Sequence, residues 1–304
     1  MKNGVLGDTA SLIRRAASLR LAARQLAEGM KSGSFRSSYR GQGIEFSGVR
    51  EYLRGDDIRA IDWNVTARMG RPFVKLFEEE RELIVFLILD RSLSMQTAAS
   101  SSQGTVCPSR LEAASEACAL IAFACEHLRS PVGAVLFDRD VTFACAPRAG
   151  AEQTMLLLSR FDELPRAGVR GSALGNAITG AAHMLKKRSL VCIFSDFRAA
   201  GWEQPLALLA CRHDVFAVRV AAPADEELPR AGLVPFEDPE TQTALFLPTL
   251  SPAFRRAWKE DAKNRQSRWH DACVRRGALA LALSVSEDPV RALNRFFQEK
   301  RTDA

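Results

Sequence analysis

Blocks of consecutive apolar residues alternate along this chain with segments whose apolar residues recur every three or four positions. Residues 83–89 and 190–194 are wholly apolar, which is typical of strands buried on both faces of a parallel sheet. The pattern predicts strands at 83–89, 132–137, 141–145, 190–194, 215–220 and 278–285, and helices at 110–128, 152–164, 174–187, 203–211, 252–276 and 289–298. This alternation favours an α/β fold, a Rossmann-like, doubly wound, mostly parallel sheet covered by helices on both faces.

The same pattern divides the chain into three regions. We expect a basic amphipathic helix and linker in residues 1–40, a charged segment with β and loop character packed on the core in 41–82, and the α/β domain in 83–304. A proline-marked excursion at about 223–248 interrupts that domain and is expected to hold a small hairpin of residues 233–236 and 244–247. Charges of both signs alternate with apolar residues in 41–82, which predicts an ordered ion-pair network that serves either the structure alone or a partner.

Net charge is concentrated at the N-terminus. Before Gly41 there are eight basic and two acidic residues, so this segment carries +6, the formal net charge of the whole 304-residue chain. Residues 9–31 predict an amphipathic helix, which either packs on its own domain or anchors peripherally on anionic lipid or a partner. Its apolar stripe comprises Leu12, Ala16, Leu19, Ala23, Leu26 and Met30. Because the charge is local, it does not indicate nucleic acid as the general partner.

Composition indicates a protein of the cytoplasm. No apolar run approaches the roughly 18 residues that a membrane helix needs, and arginines interrupt the N-terminal apolar stretch that a signal peptide would require. We therefore expect a cytoplasmic protein, with peripheral contact at the inner face of the membrane as the alternative that the basic helix allows. The seven cysteines include no C-x-x-C pair, which favours reduced, mostly buried thiols over zinc ligands or disulfides.

Polar side chains follow both of the wholly apolar blocks. Asp90, Ser92 and Ser94 come after the first, and Asp196 after the second. Adjacent central strands of a doubly wound sheet bring such ends together at the switch point, where ligands bind. Ser172 lies between the two blocks, in a glycine-flanked loop that enters a predicted helix, and could cap that helix or join the site.

These side chains offer small, hard oxygen donors, which suit Mg²⁺ or Mn²⁺. The sequence therefore predicts a metal site in which three hydroxyls coordinate the ion and two carboxylates hold its waters or bind it directly. An open coordination position would then take a carboxylate from another protein. The five predicted site residues are Asp90, Ser92, Ser94, Ser172 and Asp196.

The Asp90-x-Ser92-x-Ser94 arrangement resembles the metal-ion-dependent adhesion site of von Willebrand factor type A domains. Under that resemblance Ser172 takes the position of the family's threonine, and Asp196 that of its distal aspartate. Serine keeps the hydroxyl that the metal would need. The resemblance implies a von Willebrand factor type A-like fold and a metal-dependent interaction with another protein.

A second resemblance covers residues 41–239. The chain resembles the bacterial family known as domain of unknown function 58 in the motifs Gly43-Ile44-Glu45-Phe46, Val49-Arg50-Glu51-Tyr52, Gly55-Asp56-Asp57-Ile58-Arg59, Ile61-Asp62-Trp63, Phe73-Val74-Lys75, Glu79-Glu80-Arg81-Glu82-Leu83, Ser195-Asp196-Phe197 and Arg212-His213-Asp214-Val215. Members of that family commonly accompany MoxR-type AAA+ ATPases in systems thought to assist maturation of other proteins. The resemblance therefore implies a MoxR-type ATPase and a client protein as partners.

Three other functions compete with this interpretation. A phosphotransferase or phosphatase could use Asp90 as its nucleophile, but residue 92 is a serine where such enzymes need a second carboxylate. A serine hydrolase is disfavoured because the chain lacks a G-x-S-x-G elbow. Nucleic acid could contact the basic helices, including 252–276, although aromatic residues there are expected to pack inward. We expect a non-enzymatic, metal-dependent interaction domain, an adaptor or co-chaperone.

Overall fold

The computed structural model describes residues 23, 27, 30, 43–80, 83–96, 99–100, 106–166, 168–228, 230, 232–237 and 244–299. The chain divides into two compact units. The smaller unit spans Phe35–Glu82, and the larger combines Met1–Ser34 with Leu83–Ala304.

Within the described ranges, regular elements are numbered in chain order. The strands are β1 (Gly43–Glu51), β2 (Phe73–Glu80), β3 (Val85–Asp90), β4 (Ala99–Ser100), β5 (Val106–Cys107), β6 (Val132–Phe137), β7 (Val141–Arg148), β8 (Leu190–Ser195), β9 (Asp214–Ala221), β10 (Leu233–Glu237), β11 (Ala244–Pro248) and β12 (Leu279–Ser284). The helices are α1 (Trp63–Met69), α2 (Leu93–Gln96), α3 (Arg110–Leu128), α4 (Ala151–Asp162), α5 (Leu174–Met184), α6 (Glu203–Ala210), α7 (Pro252–Val274) and α8 (Pro289–Glu299), with 3₁₀ turns at Ile58–Ala60 and Pro223–Asp225.

The smaller unit is a two-stranded antiparallel sheet of β1 and β2, with α1 in the connection between the strands. Asp56 accepts two hydrogen bonds of 2.7 Å from the guanidinium of Arg50, and Asp62 caps α1 by accepting from two backbone N–H groups. Arg71 pairs with Glu51, and Lys75 approaches Asp62. The ion pairs predicted for this charge-dense segment are therefore present.

The larger unit is built on a six-stranded sheet with the order β12-β9-β8-β3-β6-β7. All neighbours pair in parallel except β6 and β7, which form an antiparallel hairpin at one edge. The predicted α/β class and mostly parallel, doubly wound sheet are confirmed. Because the chain leaves β3 toward β6 and later returns on the other side to β8, the strand order reverses between β3 and β8, which makes this the switch point of the sheet.

Side chains of the central strands alternate between the two faces of the sheet. Phe86 and Ile88 of β3, and Val191 and Ile193 of β8, belong to one buried cluster that also includes apolar residues of α5, α6 and α7. All six residues of β3 and of β8 are buried, as the uninterrupted apolar blocks predict. Because successive side chains of a strand point to opposite faces, the position of a residue at the end of a strand also determines the face on which its side chain lies.

Most predicted elements are present with ends within three residues of the expected ones. The helix predicted to reach residue 187 ends at Met184 because the backbone of Leu185 is extended. The hairpin predicted in the excursion is present as β10 and β11. In the N-terminal region Ala23 and Met30 are helical and buried, which agrees with the expected stripe at those two positions, and Ala27, which the stripe did not include, is helical and buried as well. The rest of that predicted helix lies outside the described residues.

Six of the seven cysteines are described as free thiols, and they differ in burial. Cys118, Cys125, Cys192 and Cys273 are buried, and Cys145 is half-buried. Cys211 is exposed instead, because it lies directly after the last residue of α6 and outside the helix–sheet interface. None of the helices in the described ranges combines the length and apolar character needed to cross a bilayer.

Candidate metal centre

The candidate centre lies at the carboxyl ends of β3 and β8, on the switch point of the sheet. Asp90 continues the face of Phe86 and Ile88, and Ser195 continues the face of Val191 and Ile193. Because β3 and β8 are hydrogen-bonded neighbours, these two side chains point to the same face and meet.

Asp90 is 1% exposed and both of its carboxylate oxygens accept hydrogen bonds. Its Oδ1 accepts from the backbone N–H of Ser92 at 2.9 Å. Its Oδ2 accepts from the Ser195 hydroxyl at 2.6 Å and from the Ser172 hydroxyl at 3.3 Å. Sequence reasoning missed Ser195, although the strand periodicity 191, 193, 195 could have indicated it.

Ser92 and Ser94 lie at the turn from β3 into α2, and both are buried. Their hydroxyl oxygens are 3.1 Å apart. Adjacent ligands of octahedral Mg²⁺, each about 2.1 Å from the ion, are separated by about 3.0 Å. The serine pair therefore has the spacing of one edge of such an octahedron.

Ser172 reaches the centre from the loop before α5. Gly171 has φ +98°, a backbone conformation that favours glycine, and this bend precedes the serine. The alternative that Ser172 caps α5 is wrong, because the N-cap residue before Leu174 is Ala173 and no side chain caps the helix. The hydroxyl of Ser172 turns to Asp90 instead.

Asp196 contributes the second carboxylate. Its Oδ1 accepts from the backbone N–H of Arg198 at 3.1 Å. Its Oδ2 is buried without a hydrogen-bond partner among the described residues and lies 3.5 Å from Arg198 Nε. Phe197 has φ 54°, an unusual conformation for a bulky residue, and its ring contacts those of Trp202 and Trp269. This aromatic packing holds the strained backbone next to Asp196.

The two carboxylates interact through their charges. Burial raises the pKa of Asp90, the nearby charge of Asp196 raises it further, and hydrogen bonds from Ser195 and Ser92 oppose both effects, leaving the pKa at about 7. Both causes of the increase disfavour a second negative charge at this edge. A bound cation would remove that cost, so the electrostatics of the centre fit a divalent ion.

A cluster of ionic contacts lies beside the centre, around Asp225 of the excursion. Asp225 accepts from Arg110 Nη2 and from Arg198 Nη2, each at 2.6 Å, and from the backbone N–H of Ala222 at 2.9 Å. Arg110 also donates from Nη1 to the carbonyl of Ser94 at 2.9 Å. Burial by itself raises the pKa of Asp225, but the two guanidinium charges and the hydrogen bonds together lower it. Sequence reasoning missed this cluster.

All five predicted site residues therefore converge on one edge of the sheet. Their donors are carboxylate and hydroxyl oxygens, the ligands of hard cations such as Mg²⁺ and Mn²⁺. Across the described part of the chain, no group of three or more histidine, cysteine, aspartate or glutamate side chains could hold a metal. A metal here would depend on the serine hydroxyls as well as the two carboxylates.

Comparison with known proteins gives the family. Residues 48–268 match the family described as protein of unknown function DUF58. The chain belongs to the DUF58 family. It is 31% identical over 305 residues to the uncharacterized protein Mb1516 of Mycobacterium bovis, covering 98% of this chain and 92% of that protein. The uncharacterized protein Rv1480 of Mycobacterium tuberculosis matches with the same identity and coverage.

Two solved structures are similar to this DUF58 chain at lower identity. The hypothetical protein BatB of Bacteroides thetaiotaomicron is 16% identical with a TM-score of 0.44, covering 73% of this chain and 100% of that one. An aerotolerance-related membrane protein of Bacteroides fragilis, solved with multiple mutations to serine, is 18% identical with a TM-score of 0.46, covering 72% and 99%. Likeness of this size does not assign a function.

Proposed function

We propose that this DUF58 protein is a non-enzymatic, metal-dependent protein–protein interaction protein with a von Willebrand factor type A-like domain. In this proposal Mg²⁺ or Mn²⁺ is held by Asp90, Ser92, Ser94, Ser172 and Asp196, and a carboxylate of the partner protein completes the coordination. The observation that carries the proposal is the convergence of two buried, mutually repelling carboxylates with a serine pair whose hydroxyls are 3.1 Å apart. A hard divalent ion would satisfy all of these groups together.

The residue two positions after Asp90 argues against the phosphotransferase alternative. Ser92 stands where a catalytic acid would be needed. Turnover of p-nitrophenyl phosphate that disappears in Asp90→Asn would contradict this assignment.

The partner belongs to the same proposal. We infer a MoxR-type AAA+ ATPase, acting with this protein as adaptor or co-chaperone in the maturation of a client protein. Membership of the DUF58 family supports this partnership. We place the protein in the cytoplasm, with peripheral contact at the inner face of the membrane through the basic segment before Gly41, which carries eight basic and two acidic residues.

The serine pair provides a direct test. We expect Ser92→Ala/Ser94→Ala to weaken Mg²⁺ binding by at least about tenfold, because two of the proposed ligands are lost. The matched control is Ser284→Ala/Ser286→Ala, since those hydroxyls are also two residues apart at a strand end and lie 3.3 Å from one another. Isothermal titration with MgCl₂ measures the dissociation constants, and circular dichroism verifies that both variants fold.

The same variants test the partnership. The tagged protein should retain the MoxR-type ATPase of its host in Mg²⁺ and release it in EDTA, and the Ser92/Ser94 variant should retain none. The Ser284/Ser286 control should behave as the unmodified chain. Retention that persists in EDTA or in the Ser92/Ser94 variant would contradict a metal-bridged interaction.

A further inference from the structure

Arg198 connects the candidate metal centre to Asp225, a carboxylate that lies outside it. Its Nε lies 3.5 Å from Asp196 Oδ2, the oxygen that is otherwise without a hydrogen-bond partner in the described structure. Its Nη2 donates to Asp225 Oδ1 at 2.6 Å. One guanidinium therefore lies beside both a predicted metal ligand and a carboxylate that belongs to the excursion.

The carboxylate of Asp225 is held in place independently of Arg198. It also binds Arg110, whose side chain is 7% exposed and whose second nitrogen donates to the Ser94 carbonyl. The backbone N–H of Ala222 donates to its other oxygen at 2.9 Å. The side chain of Arg198 is 47% exposed, against 7% for Arg110 and 11% for Asp225, so it is the most exposed of these three side chains and the one with the most room to move.

A divalent ion and Arg198 would compete for the same oxygen. A metal bound to Asp196 Oδ2 would lie within a few ångströms of a guanidinium charge, and like charges at that separation repel strongly. Withdrawal of Arg198 from Asp196 would relieve the repulsion. Its other ion pair, to Asp225, could persist during that movement because the two contacts use different nitrogens, Nε and Nη2.

We propose that Arg198 is a built-in competitor of the metal, which neutralises Asp196 in the metal-free protein and withdraws toward Asp225 when the ion binds. This inference rests on the metal site proposed above. In this inference Arg198 is a positioning residue, which sets the metal affinity without being a metal ligand. Asp225 keeps the guanidinium of Arg198 close to the centre.

The decisive measurement is the Mg²⁺ dissociation constant of the full chain in three forms. We expect Arg198→Gln to bind Mg²⁺ about tenfold more tightly than the unmodified protein, because the competing charge is absent. The matched control is Arg188→Gln. Arg188 is 48% exposed and donates to the carboxylate of Asp214 at 2.7 Å, but it lies before β8, whereas Arg198 lies after it. The control should remain within twofold of the unmodified protein.

A conservative variant and a spectroscopic signal separate competition from a structural effect. Arg198→Lys keeps the charge and should remain within threefold of the unmodified protein. In ¹⁵N-labelled protein the Nε–H resonance of Arg198, assigned by its absence in Arg198→Gln, should shift on addition of Mg²⁺. The Nε–H resonance of Arg188 should not shift.

The outcomes distinguish this inference from the site on which it rests. If Arg198→Gln binds Mg²⁺ more tightly than the unmodified protein and Arg188→Gln does not, the result supports Arg198 as a competitor of the metal. Binding of Mg²⁺ that Arg198→Gln shows and the unmodified protein lacks supports it as well. Equal or weaker binding in Arg198→Gln, with Mg²⁺ bound normally by the unmodified chain, would overturn it and leave the metal site standing. Absence of Mg²⁺ binding in every form would remove the metal site itself and the inference with it.

Discussion

His213 is buried immediately before β9, and neither of its ring nitrogens has a hydrogen-bond partner in the described part of the chain. Burial lowers the pKa of this histidine, the positive charge of Arg212 lowers it further, and the negative charge of Asp214 opposes both effects. The residue belongs to the Arg212-His213-Asp214-Val215 motif and lies at the amino edge of the sheet, opposite the candidate metal centre. It therefore affects stability independently of the metal.

We predict that protonation of His213 destabilises the fold in acid. Because the folded pKa lies below the unfolded value near 6.5, the unfolded chain takes up the proton first. This contribution to stability is therefore complete above about pH 7 and decreases below about pH 6.5, by up to about 1.4 kcal/mol per pH unit. Urea unfolding at pH 7.5, 6.0 and 5.0 measures it. Relative to the unmodified chain, His213→Gln should gain stability from pH 7.5 to pH 5.0, whereas the difference between His183→Gln, on the exposed face of α5, and the unmodified chain should stay constant.

At the scale of elements, the space between neighbouring backbone segments determines whether a glycine can be replaced by a larger residue. A Cβ at Gly133 in β6 would lie 2.7 Å from the nitrogen of Pro147 and 2.8 Å from the carbonyl oxygen of Cys145, where the register of the β6–β7 hairpin shifts. A Cβ at Gly180 in α5 would meet no atom within 4 Å. The same substitution should therefore have opposite effects at the two positions.

We predict that Gly133→Ala lowers the free energy of unfolding by about 2–3 kcal/mol, since backbone atoms of the hairpin must move apart. Gly180→Ala should raise it by about 0.5–1 kcal/mol, because alanine favours the helix and no contact is strained. Thermal and urea denaturation measure both changes. A stable Gly133→Ala would mean that the hairpin is packed less tightly than described.

Elements were predictable from the sequence where local patterns determine them. The wholly apolar blocks of β3 and β8 and the periodic helices follow directly from residue spacing, and the switch-point rule then placed Asp90 and Asp196 together. The cluster around Asp225 was not predictable, because Arg110 and Asp225 are separated by 115 positions in the sequence. Such pairs depend on how the excursion returns to the sheet, which no local pattern specifies.

At the scale of the whole molecule, polar chemistry is concentrated at one edge of an apolar sheet. Asp90 and Asp196 are 1% and 5% exposed. Asp90 is the last residue of β3, Asp196 follows β8, and all side chains of both strands are buried. A native fold that places two carboxylates together in this way is less stable than the same fold without one of the charges, unless a cation binds. Metal binding and folding should therefore be linked, because the unfolded chain has no such site.

This linkage gives Asp90→Asn two opposite effects. In EDTA the variant should be more stable than the unmodified chain by about 1–3 kcal/mol, since one of two buried, repelling charges is gone while the shape of the side chain is kept. Mg²⁺ at about 100 times its dissociation constant should stabilise the unmodified chain by about 2.7 kcal/mol, and should not stabilise Asp90→Asn. Urea unfolding in EDTA and in Mg²⁺ gives the free energies of unfolding of both proteins under both conditions.

The control is Asp214→Asn, which removes a carboxylate paired with Arg188 at the other edge of the sheet and should keep the full response to Mg²⁺. An Asp90→Asn variant that is less stable in EDTA, or that still gains stability from Mg²⁺, would show that the two carboxylates do not form a cation site.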